Sequence, residues 1–233
     1  MFAPKTLKPL YFYLRLAKNP DELDRVFQMR ESVVSPAVMK IMESKLKEDP
    51  QGRRAIETNR RLGHFTMREL RALPEGSLGR AYAEFMTEND LSPDAIPRLP
   101  ETAPFAEGHL LETHDLWHVI TGFGPDVAGE AGLQAVYAAQ LPGMLPAALA
   151  SALLLNAALE RSSVGMKRRF DAIARGWLMG QRAKRFFGYD FQANFPRPLS
   201  EVRAELGIDM ALSVPGPMGS ILTPDEERVL LAA

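Results

Sequence analysis

Apolar residues recur three or four positions apart through most of this chain, which is the spacing of a helix that buries one face. Helices are predicted over residues 7–18, 23–34, 37–47, 51–62 and 77–89, with short ones at 66–73 and 196–208. Several of them begin with a cap residue followed by proline, at Asn19–Pro20, Ser35–Pro36 and Asp49–Pro50. No run of alternating β-branched residues indicates a strand. We therefore predict an all-α fold, a single-domain helical bundle.

The most apolar part of the chain is the segment 131–159, which two prolines interrupt. Its second half, 147–159, has only Ser151 and Asn156 as polar residues and is too short to span a bilayer. A helix that is apolar on all sides is usually buried. Its many alanines leave room either for close helix packing or for a long aliphatic ligand, and the sequence favours neither decisively.

Three regions are predicted along the chain: an N-terminal helix (1–18), a helical core domain (19–210), and a C-terminal tail (211–233) with a short helix at 223–231. A proline-rich segment, 91–107, leads into the histidine-bearing helix described below. It is either a lid over the candidate site or a loop that crosses the protein surface.

Aromatic and basic residues mix in the N-terminal helix, which fits either a membrane interface or docking on the core. A basic helix predicted at 167–187 presents one cationic face, either to solvent or to anionic head groups.

The amino-acid composition restricts the classes of function and of site that this chain can have. The 233 residues carry 28 basic and 29 acidic side chains, so the charge balance does not favour nucleic acid as a partner. The chain has no cysteine, which excludes disulfides, thiol catalysis and cysteine-ligated metals. Neither a secretory signal nor a transit peptide is indicated near the N-terminus, so we expect a cytoplasmic protein.

The candidate chemistry lies at His114 and His118, which share one helix face because they are four residues apart. Asp115 can border the same site. A glycine-containing turn then allows a second, antiparallel helix to place Glu130 in its first turn, facing the first helix. Two imidazoles with one or two carboxylates suit zinc, iron, manganese or cobalt. The alternative is a helix without a metal site, whose two histidines form ordinary hydrogen bonds at the surface or in the core.

These four residues resemble the H-D-x-x-H motif, eleven intervening residues and E that mark the coenzyme Q biosynthesis protein 4 family. The flanking stretches 73–79 and 201–203, and Trp177 with Gly180, are also similar. The resemblance covers about 19–208 and implies an all-helical, bacterial-type protein of ubiquinone biosynthesis. It implies a divalent metal on the four motif residues, a polyprenylated quinone precursor as ligand, and other ubiquinone-biosynthesis enzymes as partners.

The resemblance also implies an activity, replacement of the C1 carboxylate of a prenylated 4-hydroxybenzoate by hydroxyl. The candidate catalytic residues are then the motif residues, with His114, His118 and Glu130 as metal ligands and Asp115 as a ligand or as a carboxylate that orients a histidine. The apolar segment 131–159 follows the motif directly, which suits a ring at the metal and a tail in a hydrophobic tunnel.

Two other functions stay open: a non-catalytic lipid-binding scaffold for the biosynthetic enzymes, and, by analogy with H-E-x-x-H, a metal-dependent hydrolase. We expect peripheral contact with the inner face of the cytoplasmic membrane, and the apolar helices could also form a homodimer contact.

Overall fold

A computed structural model describes residues 4–20, 22–92, 98–100 and 102–213 of the protein. Within these ranges the regular structure is helical, and the only bridge between extended segments is an isolated one that joins Ser77 and Pro198. The all-α prediction is confirmed. The helices are α1 (Pro4–Lys18), α2 (Leu23–Val33), α3 (Pro36–Leu46), α4 (Pro50–Glu57), α5 (Met67–Arg71), α6 (Leu78–Glu88), α7 (Phe105–Glu112), α8 (His114–Thr121), α9 (Val127–Gln140), α10 (Leu145–Leu159), α11 (Ser163–Arg182), α12 (Phe191–Asn194) and α13 (Leu199–Leu206), followed by a 3-10 turn at Met210–Leu212.

The main core surrounds α8 and α9 and is closed by large side chains that are fully buried, among them Trp117, Phe123 and Phe186. Helix α11 lies very close to α9. A Cβ atom on Gly176 of α11 would stand 2.0 Å from the backbone oxygen of Gly132 on α9, so only glycine fits at that crossing. The close approach fixes the position of α9, the helix that carries Glu130.

A second, smaller apolar cluster joins α1, α2 and α10. It is built on Leu16 and Met29 from the first two helices and on Leu149 from α10, and the Tyr13 hydroxyl donates a 3.2 Å hydrogen bond to Oγ of Ser151. Helix α1 is therefore docked on the rest of the protein, which was one of the two interpretations of the N-terminal helix. The domain boundaries given above for 1–18, 19–210 and 211–233 stay predictions.

Several predicted helix ends are wrong. Asn19 is not an N-cap: α2 begins at Leu23, and the Asn19 amide instead donates to the Glu22 carboxylate at 2.9 Å. The helix predicted over 51–62 ends at Glu57, because Asn59 adopts a left-handed conformation with φ of 46°. By contrast, Ser35 and Asp49 cap α3 and α4 with proline at the first helical position, as predicted.

Two further corrections concern the surroundings of the site. The basic helix predicted over 167–187 spans Ser163–Arg182, because Phe186 and Phe187 leave the helix to fill the core. The proline-rich segment does not lead straight into the histidine helix, since α7 stands between them. Parts of that segment, 93–97 and 101, and the helix predicted at 223–231 lie outside the described residues. None of the described helices is both long and apolar enough to cross a bilayer.

Candidate metal centre

Helix α8 holds both candidate histidines. It starts directly after Thr113, whose hydroxyl donates to the backbone oxygen of His109 at 2.7 Å and so closes α7. It ends at Gly122, which takes the left-handed conformation (φ 72°) and donates its N–H to the His118 oxygen at 2.8 Å. One helical turn separates His114 from His118, and their ring centres lie 4.9 Å apart with the rings nearly perpendicular.

The turn after α8 returns the chain to the histidines. Asp126 caps α9, because its carboxylate accepts the N–H groups of Ala128 and Gly129 at 2.9 and 2.8 Å. A Cβ atom on Gly129 would stand 2.0 Å from the backbone oxygen of Gly124, so glycine lets the turn lie directly on the first turn of α9. Glu130 follows in that first turn, as predicted from the sequence.

The three side chains converge on one point. Oε1 of Glu130 lies 3.0 Å from Nε2 of His118 and 3.6 Å from Nε2 of His114. One donor atom from each of the three residues falls within 4.8 Å of the other two, which is close enough to bind a single ion. His118 is 1 % exposed and Glu130 is 31 % exposed, so the group is sheltered but reachable.

The other ring nitrogen of each histidine already has a partner. Nδ1 of His118 lies 2.9 Å from the backbone oxygen of Phe123, and because a carbonyl only accepts, this nitrogen carries the proton. Nδ1 of His114 lies 3.3 Å from the hydroxyl of Tyr137. Both rings therefore direct Nε2 at the same carboxylate oxygen, an arrangement common among metal-ligating histidines.

The electrostatics of the group favour positive charge beside Glu130. Burial alone would lower the pKa of His114, but the negative charge of Glu130, a hydrogen bond to it and the charge of Asp115 together raise that pKa. Burial would raise the pKa of Glu130, yet His118 and His114 bring it well below its usual range. A carboxylate that stays ionised between two imidazoles suits a cation.

Asp115 is placed differently from the other three candidates. It lies in the first turn of α8 and lines the same cavity, but its carboxylate is not part of the converging group. Its charge contributes to raising the pKa of Tyr137 and Tyr82, in both of which burial is the larger cause. Whether Asp115 is a ligand or an orienting carboxylate stays a prediction.

A cavity of about 360 Å³ opens beside the converging group. His114, His118 and Glu130 form part of its wall. Much of the remaining wall is apolar and comes from five separate parts of the chain: Leu16, Val26, Leu91, Val127, Leu149 and Leu153. Polar atoms that could hold a metal ion and an apolar surface thus share one cavity.

The profile of the family described as coenzyme Q (ubiquinone) biosynthesis protein Coq4 matches residues 14–211. The chain belongs to the Coq4 family. A role in ubiquinone biosynthesis follows from that membership.

Proteins similar to this Coq4 family member are also named for ubiquinone biosynthesis. The mitochondrial ubiquinone biosynthesis protein coq4 of Penicillium rubens is 28 % identical over 199 residues, which cover 82 % of this chain and 68 % of the fungal one. The mitochondrial Bos taurus homologue is 30 % identical over 178 residues, covering 73 % and 65 %. A crystal structure of a Nostoc punctiforme protein assigned to ubiquinone biosynthesis superimposes with a TM-score of 0.75 and 25 % identity, covering 88 % of this chain and 98 % of that one.

Sequence reasoning missed two groups that surround the Coq4 motif in this protein. Tyr137 lies seven residues after Glu130 and therefore on the same face of α9, so helical spacing was the signal that could have found it. The Phe123 backbone oxygen has no sequence signal, because it is positioned by the left-handed turn at Gly122 and by burial of the Phe123 ring.

Proposed function

We propose that this Coq4 family member binds one divalent metal ion through His114, His118 and Glu130 and holds a polyprenylated ring intermediate of ubiquinone biosynthesis beside it. The observation that carries the proposal is the convergence of two Nε2 atoms on one carboxylate oxygen while both Nδ1 atoms are engaged elsewhere. That pattern supports the two Nε2 atoms as metal donors and the two contacts at Nδ1 as groups that orient the rings.

The donor set restricts the metal. Two imidazole nitrogens and a carboxylate, without thiolate, suit zinc, iron, manganese or cobalt, and three protein donors leave coordination positions open. When bound, iron, manganese or cobalt would supply redox chemistry, whereas zinc would supply a Lewis acid. Asp115 is the remaining carboxylate of the motif and would be a fourth ligand or an orienting group.

The reaction we propose is replacement of the C1 carboxylate of a prenylated 4-hydroxybenzoate by hydroxyl. Loss of carbon dioxide with gain of hydroxyl removes two electrons from the ring, so an oxidant such as dioxygen must accept them. In this protein the polar group at His114, His118 and Glu130 would receive the oxygenated ring. The apolar wall, including Leu149 and Leu153, would bind the prenyl tail and keep water from it.

Substitution of the ligands tests this proposal. We expect His114→Ala and Glu130→Ala to lose bound metal and ring decarboxylation while their far-UV circular dichroism is unchanged. His64→Ala is the matched control, because His64 is exposed and lies outside the converging group. Elemental analysis and mass spectrometry of extracted lipid give the metal and the ligand. A metal-free variant with full decarboxylation activity would overturn the catalytic role.

A non-catalytic scaffold that presents the lipid to other enzymes of the pathway is the second candidate. The apolar cluster of α1, α2 and α10 favours it, because Leu16 and Val26 form a separate cover over the cavity and are not part of the main core. A scaffold would retain a prenyl lipid through purification and convert none of it with any metal or oxygen supply. Turnover by the isolated protein would exclude this version.

Contact with the inner face of the cytoplasmic membrane is part of the proposal. On α1, Leu10, Tyr11 and Leu14 are each about half exposed next to basic residues, and α11 exposes Phe170 and Trp177 in the same manner. Aromatic and basic residues together suit an anionic interface. We expect co-sedimentation with anionic vesicles that weakens with salt and with Arg15→Glu and Lys167→Glu. Binding that is indifferent to both would contradict direct contact. A homodimer contact between apolar helices also stays a prediction.

A further inference from the structure

The two histidines of the converging group are supported by different kinds of acceptor. The Phe123 carbonyl can only accept a hydrogen bond, so it fixes the proton of His118 on Nδ1. The Tyr137 hydroxyl both accepts and donates, so it is compatible with either tautomer of His114. A metal on Nε2 of His114 requires the proton on Nδ1, and the Tyr137 oxygen is then the atom that accepts it.

We propose that Tyr137 is a positioning residue for the metal centre. Its hydroxyl oxygen accepts a hydrogen bond from Nδ1–H of His114 and thereby holds the His114 ring with Nε2 towards Glu130. This inference rests on the proposed metal-binding function and goes beyond it, since Tyr137 lies outside the four-residue motif. It acts through His114 and does not touch the ion.

Tyr137 is held rigidly enough for this role. Its ring stacks on Trp117 with centres 4.3 Å apart and planes 16° apart, and Trp117 is fully buried and packed edge-to-face on Phe186. The Tyr137 ring is also nearly parallel to the ring of His114, with the planes 7° apart and the centres 6.1 Å apart. Trp117 and His114 share α8, so this stack couples the tyrosine of α9 to the helix that carries the ligands.

The position of Tyr137 on its own helix has the same effect. It follows Glu130 by seven residues, two turns, so the carboxylate ligand and the hydroxyl that supports a histidine ligand lie on one face of α9. A shift of α9 along its axis would therefore move both groups relative to His114 at once. Glycine contacts between α9 and α11 oppose such a shift.

The test uses Tyr137→Phe in the full-length protein. This change removes one oxygen and keeps the ring that stacks on Trp117. We expect the dissociation constant for zinc, measured by competition with a chromophoric chelator, to rise roughly 10- to 100-fold. We also expect the visible absorption bands of bound Co²⁺ to shift, because a reoriented His114 changes the ligand field. A merely structural role would leave that spectrum unchanged.

Tyr189→Phe is the matched control, since it removes the hydroxyl of another buried tyrosine, one that lies 3.5 Å from Glu205 and does not line the cavity of His114 and His118. If Tyr137→Phe has a zinc dissociation constant within twofold of wild type and an unchanged Co²⁺ spectrum, the inference about Tyr137 is wrong and the proposed function still stands. A wild-type protein that binds no stoichiometric metal overturns the proposed function and this inference together.

A measurement on the wild type keeps the inference testable if Tyr137→Phe does not fold. Long-range ¹H–¹⁵N spectra of the zinc-loaded protein should show His114 protonated at Nδ1 and metal-bound at Nε2. The opposite tautomer would exclude Tyr137 as the acceptor.

Discussion

Nε2 of His118 lies 3.0 Å from Oε1 of Glu130, and both atoms present lone pairs to each other when the neutral His118 ring carries its proton on Nδ1 and donates it in a hydrogen bond to the Phe123 oxygen. Two acceptors at this distance attract only if a proton or a cation lies between them. The folded protein thus keeps a place for positive charge next to a carboxylate that is already ionised. Loading with metal and removal of metal should therefore change its stability.

Removal of metal should destabilise the protein. A ligand that binds only the folded state adds about 2.7 kcal/mol to the free energy of unfolding when its concentration is 100 times its dissociation constant. We expect the melting temperature to rise with zinc concentration in the wild type and to rise much less in Glu130→Gln. Glu160→Gln is the control and should behave as wild type, because Glu160 is an exposed glutamate that forms an ion pair with Arg169. An equal rise in Glu130→Gln would show that the metal binds elsewhere.

His109 should make the protein acid-sensitive. Burial, with smaller effects from the charges of Arg60 and Arg61, lowers the pKa of His109 to about 3, and its Nε2 accepts the N–H of Gly188 at 3.1 Å. Between about pH 6.5 and pH 3 the unfolded chain binds a proton at this residue that the folded protein does not. Stability therefore falls as the pH falls through that window, by up to about 1.4 kcal/mol per pH unit.

The measurement is the free energy of urea unfolding at several pH values in the presence of a chelator. His109→Gln retains an acceptor for the Gly188 N–H and cannot titrate, so its stability should depend less steeply on pH. His64→Gln, at an exposed histidine, should follow the wild type. Equal slopes for His109→Gln and wild type between pH 6.5 and 3 would contradict the prediction.

Gly176→Ala should separate α9 from α11. The added methyl group would stand 2.0 Å from the Gly132 oxygen, and backbone on both sides leaves no flexible side chain to move. Overpacking of this kind costs about 1–3 kcal/mol or more, and a displaced α9 should also weaken zinc binding through Glu130. Ala174→Ser, on the exposed face of the same helix, is the control. Wild-type stability in Gly176→Ala, measured by denaturant unfolding, would refute this account of the crossing.

Arg203 of α13 should stabilise the C-terminal end of the histidine helix. Its guanidinium donates to the backbone oxygens of Ile120 and Val119 at 3.0 and 2.8 Å, where helical carbonyls lack partners of their own. Arg203→Met should lower the free energy of unfolding by about 1–3 kcal/mol, because the backbone oxygens of these two buried residues lose a charged donor. Arg182→Met, at an exposed position, should lose less than about 0.5 kcal/mol. Equal losses in the two variants would argue against a cap.

The parts of the site that the sequence predicted are those governed by local geometry. His114 and His118 share a face because of the helical repeat, and Glu130 follows a turn whose Gly122 and Asp126 are recognisable end and start residues. The short helix predicted from residue 66 is found for the same reason, since Thr66 and Glu69 form a capping box at its start. In each case a handful of neighbouring residues determines the outcome.

The parts that could not be predicted depend on contacts between distant residues. Phe186 has helix-compatible neighbours in sequence, yet burial against Trp117 takes it out of α11. Leu16 and Val26 reach the cavity only because α1 and α2 dock beside α10, and helical periodicity does not indicate which surface an amphipathic helix covers. The Asn19 prediction failed because the side chain found a partner in Glu22 three residues later.

The three converging residues lie within 114–130, so only a short loop has to close to bring them together. The cover over the cavity is different: the hydrogen bond from Tyr13 to Ser151 joins residues 138 positions apart. Contacts between nearby residues form sooner than contacts between distant ones. We expect the hairpin of α8 and α9 to form while the N-terminal helices are still unattached, so that under the proposed function an ion would bind before a lipid is enclosed.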